Sequence, residues 1–290
     1  MDSLKDRFAD YISLTKPRVS FLVILTMIAG FYLGSPVDFD FVLLFHAIFG
    51  TTLIVGGTSA LNQVIEHRID AQMKRTSKRP LPAGRLSQIE ALAFGAATSI
   101  AGVVYLSILV NPLTGFLAAL TLVSYVFLYT PMKQKSSLAT LVGAVPGALP
   151  PMGGWAAARG ELGIEAWVLF AILFFWQLPH FLAIAWLYRE DYSRGGLIVL
   201  PVIDKAGYST SRHILANTVA LLVISLTPTL LGFAGGVYFA GALLLGAAFL
   251  YSGVRVAVHR TNKSAKKLLL TSVLYLPALL LLMSFDKIYL

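Results

Sequence analysis

The stretch FVLLFHAIFGTTLIVGGTSALNQVIEHRID, residues 41–70, decides the architecture. Residues 41–61 are apolar apart from His46 and a few hydroxyls, and about 20 such residues let a helix cross roughly 30 Å of hydrocarbon. The run ends in Asn62, Glu66 and Asp70. At i, i+4 and i+8 on a 3.6-residue helix these side chains drift only about 40° per step and form one stripe roughly 12 Å long. A membrane-spanning helix therefore runs directly into a ladder of hard oxygen donors.

Lys74, Arg75, Lys78 and Arg79 follow, before Pro80-Leu81-Pro82. Carboxylate and amide oxygens suit Mg²⁺, which is usually held by one or two carboxylates together with substrate phosphates. Arginine forks and lysine charges suit those phosphates. Acidic ladder plus basic cluster reads as a metal-bridged diphosphate site, with Asn62, Glu66 and Asp70 as metal ligands and Lys74, Arg75 and Arg79 on the diphosphate. In the competing reading Glu66 and Asp70 pair with Arg68, Lys74 and Arg75 to end a helix at the interface. That reading gives no reason for Asn62 one turn deeper.

The rest of the chain supports a membrane solvent. It is 57% hydrophobic and 13% charged, with a mean hydropathy of +0.76, beyond the composition of soluble domains. Nine runs are long enough to span: 19–33, 41–61, 89–110, 113–129, 138–156, 166–188, 214–233, 237–256 and 268–285. The expectation is a single all-α domain over 1–290, a nine-helix transmembrane bundle with an uncleaved first helix. Lysines and arginines concentrate in cytoplasmic loops. With the N-terminus inside, all but Arg159 and Lys287 of the 23 fall on that side, and an odd helix count leaves the C-terminus outside. The net charge of +9 is thereby mostly topology and makes no case for nucleic acid. With no cysteine, disulfides and thiolate metal sites are excluded.

A second cytoplasmic segment, Arg189-Glu190-Asp191-Tyr192-Ser193-Arg194-Gly195-Gly196, repeats the logic of the first. Asp191 can add a metal carboxylate, Arg194 a phosphate contact, and the glycines close backbone approach to an anion. Read alone, it is equally an ordinary charged loop.

Together, Asn62 to Pro82, Tyr129-Thr130-Pro131-Met132-Lys133, Gly147-Ala148-Leu149-Pro150-Pro151, Gly154-Trp155, Phe175-Trp176-Gln177-Leu178-Pro179-His180-Phe181 and Asp191-Tyr192 with Gly195-Gly196 resemble the protoheme IX farnesyltransferase (heme O synthase) branch of the UbiA-type intramembrane prenyltransferases. The resemblance runs through essentially the whole chain. It implies a bundle around a central cavity open to the membrane. It also implies a Mg²⁺-dependent reaction in which farnesyl diphosphate and water add across a vinyl group of heme B. The resemblance places Lys133 on the diphosphate, and it makes His180, and secondarily His46, candidate heme ligands.

Relatives acting on hydroxybenzoate or naphthoate have aspartates four apart in both motifs. Here Glu66 takes the middle place of the first motif, and Gly195 stands four residues after Asp191, which favours the heme branch. Prenylation of a quinone precursor and a non-catalytic heme or prenyl transporter are the alternatives. A transporter generally sets its ionisable groups near the bilayer midplane, whereas these cluster at cytoplasmic ends. The implied setting is the bacterial inner membrane, in contact with lipid, with the site toward the cytoplasm and a heme A synthase as downstream partner.

Overall fold

The computed structural model describes residues 4–289, and every regular element among them is a helix. In chain order these are α1 (Leu4–Leu14), α2 (Pro17–Gly34), α3 (Phe41–Gln72), α4 (Gln88–Leu109) and α5 (Pro112–Val123). A π-helical segment (Ser124–Tyr129) leads into α6 (Thr130–Met132). Then come α7 (Ala139–Arg159), α8 (Ile164–Leu187), α9 (Arg189–Arg194), α10 (Leu200–Ile203), α11 (Tyr208–Leu230), α12 (Gly236–His259) and α13 (Asn262–Phe285).

Each of the nine apolar runs overlaps a long helix; 113–129 is shared by α5 and the π-helical segment, and 214–233 outlasts α11 by three residues. Among the described residues eight helices are long and apolar enough to cross a membrane, counting Pro112–Met132 as one. The remaining long helix, α7, carries Pro146, Pro150 and Pro151 amid glycines, which dilute its hydropathy. α3 is longer than the apolar run inside it: 32 residues make about 48 Å of helix, so its last three turns carry the oxygen ladder beyond a bilayer's hydrocarbon.

α8 is the hub, with 56% of its most apolar window buried against 39% or less in the other spans. It packs on α7, α11 and α13. Between α2 and α7 the backbones nearly touch: a Cβ on Gly30 would run into the carbonyl oxygen of Pro151, and one on Gly154 into that of Met27. Small residues at such crossings replace hydrophobic drive, which lipid does not supply, with close van der Waals contact.

Arg159 and Lys287, the two cations that topology leaves outside, have a shared task. Arg159 Nε donates to Gly34 O at 2.6 Å, and Lys287 Nζ to Tyr32 O and Ser35 O at 2.8 and 2.6 Å. They satisfy the last carbonyls of α2, where cations also complement the helix dipole. The oxygen ladder occupies the opposite end of the bundle.

Adjacent glycines give an internal control. Gly154→Ala should cost about 3 kcal/mol by overpacking and lower both the monodisperse yield and the melting temperature in detergent. Gly153→Ala, which meets nothing within 4 Å, should leave both unchanged.

Candidate active site

The ladder is buried: Asn62 is 0%, Glu66 7% and Asp70 1% exposed. Carboxylates at that depth need partners, because an unpaired buried charge costs several kcal/mol. Each rung finds one from a different part of the chain. Lys16, between α1 and α2, donates to Asn62 Oδ1 at 2.7 Å. Lys133, just after α6, donates to Glu66 Oε1 at 2.7 Å. Arg79, in the loop after α3, donates to Asp70 Oδ2 at 2.6 Å.

One of these partners, Lys133, and a further contact to Asn62 depend on the π-helical turn. Pro131 has no N–H to continue the α-helical ladder, and the helix widens: both the N–H and the hydroxyl of Thr130 go to Tyr125 O, five residues back. The wider turn leaves Thr130 Oγ1 3.1 Å from Asn62 Nδ2 and sets the Lys133 ammonium 4.3 Å over the Tyr129 ring. Insertions of this kind recur at functional sites.

Asp191 is placed differently from the other three rungs. Its carboxylate accepts Lys74 N at 3.0 Å and Arg75 N at 3.2 Å, and it is paired with Arg194. The Arg194 bond first, then the two amides, hold its pKa below the usual carboxylate range. Among the described residues no three His, Cys, Asp or Glu side chains are arranged to hold a metal ion. The expected four-residue set is thus not gathered. Asn62, Glu66 and Asp70 share a stripe, while Asp191 is drawn to backbone amides and clamps the loop after α3. Ile198 N donates to Lys133 O at 2.8 Å, which stitches the segment after α9 to the Lys133 turn as well.

The expected diphosphate cations divide likewise. Lys133 and Arg79 point inward onto the ladder. Lys74 is exposed, and the Arg75 guanidinium lies 5.5 Å over both Tyr188 and Tyr192. Arg194 sits beside Asp191. Sequence reading missed Lys16, which counted only as a topological cation. Burial and then the nearby Arg79 pull its pKa down to about 7, with Glu66 acting in the opposite sense.

The two histidines are far apart in role. His46 Nδ1 bonds Tyr105 Oη at 2.7 Å on the α3–α4 seam, some 24 Å along α3 from Asn62. His180 lies on the α8–α13 seam, with Nδ1 2.7 Å from Ser272 Oγ. A narrow cavity of about 40 Å³ lies among α2, α3, α4, α5 and α7, lined by Met27, Ile54, Val55, Leu117 and Leu149 among others. Ile54 and Val55 sit about two turns from Asn62 on α3, and no residue of the ladder lines the cavity.

The donor set fits a hard divalent cation. It consists of an amide and two carboxylates on one stripe, and Asp70 Oδ1 is buried with no hydrogen-bond partner. Lys133 and Arg79 balance the two carboxylates, and Lys16, with its pKa at about 7, adds at most one further positive charge suited to a polyanion. The class so defined is a helical bundle with apolar spans and a buried ladder of oxygen donors paired with basic side chains.

Comparison with known proteins gives the class its name. The profile of the UbiA prenyltransferase family matches residues 23–279. A protoheme IX farnesyltransferase from Solibacter usitatus is 52% identical, over 96% of this chain and 98% of its own. One from Koribacter versatilis is 45% identical, over 96% and 93%. Among solved structures, a digeranylgeranylglyceryl phosphate synthase superposes with a TM-score of 0.83 at 18% identity, covering 98% of this chain and all of the other. A UbiA homolog from Archaeoglobus fulgidus bound to DMAPP and Mg²⁺ gives 0.70 at 14%, covering 95% and 99%; at these identities the likeness is one of fold. The chain belongs to the UbiA prenyltransferase family, in the branch of the protoheme IX farnesyltransferases.

If Asp191 is the clamp, Asp191→Asn should open the cap. Limited trypsin digestion in detergent should then cut after Lys74, Arg75 or Lys78 at least several-fold faster than in wild type, with the helical core intact. Equal cutting rates would show that the amide bonds do not hold the loop.

Proposed function

We propose that this protein transfers the farnesyl group of farnesyl diphosphate, with addition of water, to a vinyl group of heme B, giving heme O and diphosphate. The observation that carries this reading is the buried ladder with a basic side chain on every rung and one bare oxygen, Asp70 Oδ1. The full-length similarity to protoheme IX farnesyltransferases supplies the acceptor.

Asn62, Glu66 and Asp70 would hold Mg²⁺, and Lys16, Lys133 and Arg79 would hold the diphosphate oxygens. Lys74, Arg75 and Arg194 form the rim through which the diphosphate enters and leaves. Bound there, Mg²⁺ supplies positive charge to the leaving diphosphate. Lys133 and Arg79 add preorganised donors where negative charge grows, the contribution that counts most in a dry site. The farnesyl C1–O bond breaks with its electron pair going to the diphosphate. The vinyl π electrons then form the new C–C bond, and the cation left beside the porphyrin takes the oxygen of water, which releases a proton. No strong protein base is required.

We further infer that α7 is the ninth span, that the N-terminus and the site face the cytoplasm and the C-terminus the opposite side, and that the membrane is the bacterial inner membrane. His180 is the heme ligand in this reading, since it lies in the half of α8 that leads toward Asp191; a heme A synthase would take the product.

The direct test incubates purified protein with heme B, farnesyl diphosphate and Mg²⁺ and reads heme mass by chromatography. A gain of farnesyl plus water is expected, lowered roughly 100-fold or more in Asp70→Ala and abolished by a chelator. Unmodified heme alongside prenylation of a hydroxybenzoate or naphthoate acceptor would replace the acceptor assignment.

A further inference from the structure

Trp176 and His180 stand one turn apart on α8, and both reach one residue of α13, Ser272. Trp176 Nε1 donates to Ser272 O at 2.8 Å, and His180 Nδ1 lies 2.7 Å from Ser272 Oγ. The two rings stack, with centroids 4.9 Å apart and planes 23° from parallel. Ser272 itself is fully buried.

Counting protons fixes the histidine's chemistry. A serine hydroxyl has one hydrogen, and that of Ser272 goes to Leu269 O at 2.7 Å. Oγ therefore turns a lone pair to the imidazole, so Nδ1 is the N–H donor. A neutral imidazole carries only one N–H, which leaves Nε2 as a bare lone pair on the opposite edge of a half-buried ring. Histidines that ligate metals are held in this way: one nitrogen donates to a neighbouring oxygen, which sets the tautomer, orients the ring and raises the basicity of the other. Stacking on Trp176 fixes the remaining freedom, rotation of the ring plane.

We infer that Ser272 is a positioning residue that locks His180 as the Nδ1–H tautomer and presents Nε2 as the axial ligand to the iron of the porphyrin substrate, with Trp176 setting the ring plane. The inference rests on the proposed heme reading and adds two residues, Ser272 and Trp176, outside the motifs that bind metal and diphosphate. It also gives the reaction an order in space: iron ligation at the α8–α13 seam fixes the porphyrin, while the α3 ladder fixes the diphosphate.

The test binds ferrous heme B to detergent-purified wild type, His180→Gly, Ser272→Ala and Ser272→Cys. It records the iron–histidine stretching band by resonance Raman, the heme Kd and, separately, the farnesyl diphosphate Kd with Mg²⁺. Wild type should show a histidine-ligated band, and His180→Gly should lose it and regain one with added imidazole. Ser272→Ala should keep the band at lower frequency, because the ligand is less basic, and raise the heme Kd about tenfold with the farnesyl diphosphate Kd unchanged. Ser272→Cys keeps the volume with a weak acceptor and should shift the band the same way. An unshifted band and unchanged heme Kd in both Ser272 variants would overturn the role of Ser272 and leave His180 as ligand. A histidine band that survives in His180→Gly, or is absent from wild type, would overturn the heme ligation itself.

Discussion

Burying Glu66 and Asp70 at the end of a membrane helix is the constraint on which the rest of this structure depends. An isolated carboxylate there is prohibitively costly, and removing one partner from a buried pair typically costs about 3–5 kcal/mol. The cations that relieve the cost come from separate segments: Lys16 ahead of α2, Arg79 beyond α3 and Lys133 beyond the π-helical turn. Folding the ladder therefore means assembling the whole end of the bundle that carries it. Asp191 completes it by holding the amides of Lys74 and Arg75.

In the proposed function the same pairs prepare the site for its substrate. A cation that neutralises a carboxylate is also a phosphate ligand, and a carboxylate that holds a lysine is also a metal ligand. Mg²⁺ and diphosphate entering together can exchange partners with the protein while local charge balance is kept. Either one entering alone leaves charges unmatched. Elsewhere in the bundle a narrow apolar cavity of about 40 Å³ lies among α2, α3, α4, α5 and α7, lined mostly by aliphatic side chains.

Much of this was legible in the sequence. The apolar runs locate every long helix, since a 3.6-residue helix is the economical way to satisfy backbone groups in lipid, and the i, i+4, i+8 spacing of Asn62, Glu66 and Asp70 places them on one face. Facts set by tertiary packing were not legible. Lys16 looks like any cation ahead of a membrane helix, and nothing local says that it reaches Asn62. Nothing local says that Asp191 accepts the backbone N–H groups of Lys74 and Arg75. Nor does anything local say that the Arg75 guanidinium lies 5.5 Å from the ring centroids of both Tyr188 and Tyr192. Ser272 is an unremarked serine in an apolar helix, and only the crossing of α8 and α13 gives it a histidine.

Coupling of metal to diphosphate by the α3 ladder is the step on which the proposed function turns. It is tested most directly by calorimetric titration of farnesyl diphosphate into wild type and Glu66→Gln, with and without Mg²⁺. Mg²⁺ should tighten binding by at least tenfold in wild type, and that gain should vanish in Glu66→Gln, whose Lys133 remains free to hold the diphosphate. An equal Mg²⁺ effect in the two proteins would contradict the claim and move the metal off the ladder.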